Sequence, residues 1–76
     1  MTISDVMDDL RMIHKANQIA AFFDAYPHDK AVEGVAEHIR KFWTPPMRDQ
    51  LHNYVTKETG KDLHELVIEA VKNLRK

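Results

Sequence analysis

Two adjacent prolines follow the chain's single tryptophan in Trp43-Thr44-Pro45-Pro46-Met47, and they set the strongest constraint on what this sequence can become. Upstream, Val32, Val35, Ala36, Ile39, Phe42 and Trp43 recur at i, i+3, i+4, i+7, i+10 and i+11, one face of a 3.6-residue helix. The spacing predicts a helix over residues 30–43, with Asp29 placed to cap it after the loop Tyr26-Pro27-His28-Asp29. Each proline disfavours the α region for the residue before it, so Thr44 and Pro45 are expected to be extended and Pro46 to open the next helix. The product is a stiff corner between two helices. Trp43 continues the apolar stripe, which makes burial in the core its first expected role and an anchor for another protein its second.

The other segments read as helices around this corner. Ser4 suits an N-cap, Asp5, Asp8 and Asp9 place negative charge at a helix start, and a first helix is expected over residues 5–25. Val6, Leu10, Met12, Ile13, Ala16, Ile19, Ala20 and Phe23 form its apolar arc, with Asn17 at the arc's edge and Phe22 on the polar side. Gly34 is expected on the exposed face of the second helix, where it costs some stability relative to alanine. Met47, Leu51, Tyr54 and Val55 give a third helix over residues 46–57, ended by Thr59-Gly60. Asp62 with Glu65 resembles a capping box, and Leu63, Leu66, Val67, Ala70, Val71 and Leu74 then form a fourth amphipathic helix from which Ile68 points away. With no β-alternation and no repeat, the expected fold is all-α: one domain spanning residues 1–76, a compact bundle of four short helices.

Charge and composition narrow the function. Eleven basic residues nearly balance twelve acidic ones and no basic stripe forms, so nucleic acid is not the expected ligand. A helix-turn-helix on the third helix would have Arg48, Gln50, His52 and Asn53 as base readers. Asp49 and the double proline oppose it. No run approaches the ~20 apolar residues of a membrane span, which makes a soluble, cytoplasmic protein the expectation. A chain of 76 residues buries only ~60% of its unfolded surface, so help from a partner or from weak self-association is expected.

Chemistry finds no foothold in the residue pattern. His14, His28, His38, His52 and His64 form no i, i+3 or i, i+4 pair of metal-ligand spacing, there is no cysteine, and Gly34 and Gly60 cannot build a phosphate loop. Ser4 and the threonines sit near helix ends, where capping is the expected role, and Asp8-Asp9 belong with a helix dipole. No catalytic, cofactor or metal residues are assigned. What remains is protein contact, for which Arg40, Trp43, Arg48 and Tyr54 at the corner are the residue types that dominate interfaces. Phe22 and Ile68 are further interface candidates because they leave their stripes.

Two motifs carry a resemblance. Lys15-Ala16-Asn17-Gln18-Ile19-Ala20-Ala21-Phe22-Phe23 and His38-Ile39-Arg40-Lys41-Phe42-Trp43-Thr44-Pro45-Pro46-Met47-Arg48 together resemble the delta subunit of bacterial molybdenum-containing, NAD-dependent formate dehydrogenases. That family's pattern is approximately Met-x-x-x-Ala-Asn-Gln-Ile-Ala-x-Phe-Phe followed by His-Ile-x-x-Phe-Trp-x-Pro-x-Met-Arg. Pro46 stands where a basic residue is expected, so no charged contact is carried over from that position. The resemblance implies a small accessory subunit without cofactors of its own, the molybdenum centre, iron-sulfur clusters and flavin belonging to larger subunits. It further implies docking on the large molybdenum-containing subunit. The candidate partner-binding residues are then Asn17, Phe22, Arg40, Trp43, Met47, Arg48 and Ile68. The alternative is a free-standing helical adaptor or a homodimeric interaction module.

Overall fold

The strongest apolar stripe builds the central helix. In the computed structural model, which describes residues 8–74, α2 spans His28–Phe42 and buries Ala31, Val32, Val35, Ala36 and Ile39 along one side. Against it lies α4, Glu65–Leu74, which buries Leu66, Val67, Ala70 and Val71. These two helices share the most extensive packing in the molecule. The first helix, α1 (Asp9–Phe23), adds a narrow line of Met12, Ala16 and Ala20, whose two alanines let its backbone approach the α2–α4 pair closely. The third, α3 (Pro45–Lys57), is the most shallowly anchored, with Leu51 its one fully buried residue and Met47, Tyr54 and Val55 packed at the core's margin. The expected all-α bundle of four helices is what forms, with no strand among the described residues.

Several boundaries differ from expectation, each for a local reason. Asp8 is extended, accepts the Arg11 amide at 2.9 Å and starts α1 four residues later than predicted. Ser4, Asp5, Val6 and Met7 lie outside the described residues. Asp29 does not cap α2. The turn begins at Pro27, whose carbonyl accepts the Ala31 amide at 2.8 Å, and Asp29 sits inside the first turn, where its charge still faces the positive dipole end. Pro45 is helical rather than extended: Thr44 caps α3 and accepts the Met47 amide, so both prolines occupy first-turn positions whose missing N–H groups would have had no helical partner.

The start of α4 departs most. Asp62 adopts φ +67° and forms no capping box; the cap is His64, whose Nδ1 accepts the Leu66 amide at 3.0 Å. Leu63 stays outside the helix but is buried in the loop before it. That loop contains three residues with positive φ, Thr59, Gly60 and Asp62, and only Gly60 does so without steric cost.

Three packing expectations also fail. Gly34 is not an exposed defect, because the Phe23 ring lies over it so closely that a Cβ there would fall 2.5 Å from the ring. Phe42 leaves the buried stripe and is 70% exposed, while Trp43, turning extended at the helix end, takes the inward place at 7%. Leu10, assigned to the apolar arc of α1, is likewise 80% exposed.

Candidate docking surface

The double-proline corner is held by backbone and one arginine. Trp43 ends α2 with its amide on the Ile39 carbonyl, and its indole closes the core beneath the turn. Arg48, one turn into α3, reaches back with Nη1 to the carbonyls of Arg40 at 2.8 Å and Trp43 at 3.2 Å. A guanidinium satisfying the last carbonyls of a helix is favourable on both counts, since those groups lack helical partners and carry the negative end of the dipole. The cation that α3 alone does not explain therefore serves α2. Arg40, on the outer side, pairs with Glu37 at 3.2 Å, and Lys41 pairs with the same carboxylate at 3.2 Å. All three side chains are more than half exposed, so these pairs contribute little to stability.

Asn17 performs a comparable service at the other end of the bundle. Its Nδ2 donates to the Asp62 carbonyl at 2.9 Å and its Oδ1 accepts the His64 amide at 2.8 Å, so one side-chain amide from α1 clamps the loop that launches α4. Tyr54 ties the same loop to α3 by donating its hydroxyl to the Lys61 carbonyl at 3.0 Å. Loss of bulk water around the phenol, aided by the carboxylates of Asp62, Glu58 and Asp9, raises the Tyr54 pKa above its ordinary value.

The predicted interface residues thus separate by environment. Trp43 belongs to the core, and Met47 and Ile68 are half-buried against it; Ile68 is covered by Gly60 of the loop, where a Cβ would come within 2.8 Å of it. Asn17 and Arg48 spend hydrogen bonds inside the chain, and Arg40 remains on the surface. Phe22 stands out at 68% exposed, its ring set edge-to-face with Phe23 at a centroid separation of 5.0 Å. Sequence reasoning missed Phe42, which packs its ring on His38 at 4.7 Å but is otherwise open. The signal was present, because at ~100° per residue Phe42 stands about 80° from Val32, at the stripe's edge, whereas Trp43 is near its centre.

The remaining histidines are scattered: His28 Nε2 meets the Glu69 carboxylate at 2.5 Å, and His64 Nε2 lies 3.8 Å from Asp24. Among the described residues no three His, Cys, Asp or Glu side chains group to hold a metal ion. Nor is any described helix long and apolar enough to cross a membrane. Beyond the corner, a cleft of about 400 Å3 opens between the ends of α2 and α4 and the side of α3, lined by Arg40, Arg48, Asp49, His52, Val71 and Leu74.

Residues 11–71 match the family model described as the NADH-dependent formate dehydrogenase delta subunit, FdsD. The chain belongs to this family. The match takes in the corner, the Asn17 clamp and most of all four helices of this delta-subunit family member. No curated protein and no solved structure matches the chain.

Proposed function

We propose that this delta-subunit family member is a noncatalytic, cytoplasmic subunit that docks on the large molybdenum-containing subunit of an NAD-dependent formate dehydrogenase and assembles or stabilises that complex. The observation that carries the proposal is the family match across residues 11–71. Two features of the fold support docking. Large apolar side chains, Leu10, Phe22 and Phe42, stand in water at the surface, and Phe side chains are the kind that anchor interfaces. The corner that carries the second motif is rigid by construction, so a partner meeting it spends little ordering free energy.

The test is co-expression of the large formate dehydrogenase subunits with and without this chain, followed by affinity purification on the large subunit. Omission lowers the yield of intact, active complex and its resistance to heat. Equal yield, activity and thermal stability in its absence would sink the proposal. Light scattering of the isolated chain addresses the competing reading, a homodimeric module built on the same exposed side chains. On the docking account, any dimer is weak and gives way when the large subunit is added.

A further inference from the structure

The cleft beside the corner combines features that none of its walls explains alone. Two guanidinium groups, Arg40 and Arg48, face a single carboxylate, Asp49, so the cleft has an excess of positive charge at neutral pH. Arg48 Nη1 is tied to two main-chain carbonyls, which fixes the plane of its guanidinium, while no hydrogen bond among the described residues engages its Nη2 or Nε. Among the described residues the Arg40 guanidinium is bound only through Nη1, to an exposed glutamate that gives it up at small cost. His52 adds a third polar wall, and its buried Nδ1 has no hydrogen-bond partner among the described residues. Val71 and Leu74 of α4 supply the apolar side.

A planar, pre-oriented fork with unspent donors is the geometry that takes a carboxylate in two parallel hydrogen bonds, and holding the fork in advance lowers the entropy lost on binding. We propose that this cleft receives an aspartate or glutamate side chain of the partner subunit, its carboxylate shared by Arg48 and Arg40 and its aliphatic stem lying on Val71 and Leu74. Charge complementarity selects an acidic occupant. The apolar wall selects one carried on a protein side chain over a free hydrated anion. This inference rests on the docking reading and identifies the chemistry of one contact within it.

The test measures binding of the fluorescently labelled full chain to the formate dehydrogenase complex purified without it, by anisotropy, at low and high salt. Arg48 is unsuited to the first variant because it also caps α2. Arg40→Glu and Arg40→Gln remove the outer donor, and Lys57→Glu is a charge-changing control on the far end of α3. Both Arg40 variants are expected to raise Kd about tenfold or more and to flatten its salt dependence, with far-UV melting unchanged and the Lys57→Glu chain binding like the parent. Parent-like affinity and salt dependence in the Arg40 variants would overturn the cleft while leaving the docking reading in place. An equal loss in Lys57→Glu would also overturn it, because diffuse charge attraction would then account for the effect. Failure of the parent chain itself to bind would remove the docking reading and this inference with it.

Discussion

Replacing Asn17 by alanine isolates the clamp between α1 and the loop before α4. Two hydrogen bonds are lost, the Nδ2 donation to Asp62 and the acceptance of the His64 amide. Each is worth ~0.5–1.5 kcal/mol net, so the expected loss is about 2 kcal/mol, at the upper end if the half-buried His64 amide finds no water in exchange. For a domain of this size, where 1 kcal/mol moves the midpoint by ~4–8 °C, Tm falls by about 8–16 °C. Asn17→Asp is the sharper variant. It keeps the acceptor for His64 but sets a carboxylate against the Asp62 carbonyl, so it is expected to destabilise at least as much as alanine at neutral pH. Thermal and urea unfolding followed by circular dichroism measure both, and hydrogen exchange reads faster exchange at the His64 amide. A melting point for Asn17→Ala within about 2 °C of the parent would refute the reasoning, because Leu63 and the Tyr54 bond would then hold the loop alone.

Other perturbations follow from the same packing. Gly34→Ala, which in an exposed helix gains about 1 kcal/mol, is expected to lose stability here because the Phe23 ring must move; a raised Tm contradicts that contact. Trp43→Ala removes a buried aromatic at ~3–5 kcal/mol and abolishes cooperative unfolding or nearly so, whereas Phe42→Ala, one residue earlier but exposed, changes stability by less than about 0.5 kcal/mol; equal effects in urea melts would contradict the placement of the two rings. The raised Tyr54 pKa favours the protonated phenol in the fold, so its contribution is fully present below about pH 10, the ordinary tyrosine value, and is lost as pH rises through the folded value. Unfolding free energy should fall more steeply above pH 10 in the parent than in Tyr54→Phe, and parallel profiles would exclude the linkage.

How far the sequence was readable depended on whether the cause was local. Helix existence and the corner were legible because periodicity and proline act within a few residues, and Asn17 was legible as a polar side chain in need of partners. The partners themselves lie 45 and 47 residues away and belong to tertiary structure. Arg48 shows the same limit from the other side: judged on α3 it opposes the dipole, and only the fold reveals that it serves the end of α2. Gly34 looked like a helix defect until Phe23 was placed across it. His64 displaced the expected Asp62–Glu65 capping box because the loop closes through left-handed residues, which turns Asp62 away from a cap geometry. For the surface, Phe22 was found by its departure from a stripe, and Phe42 was hidden by its sequence neighbour Trp43.

The central proposal is docking on the large subunit as a subunit of the enzyme, and native mass spectrometry of formate dehydrogenase purified through a tag on that subunit tests it most directly. The account predicts one copy of this chain for each large subunit in the mature, active enzyme, released only on denaturation. Fully active enzyme carrying no copy would contradict it.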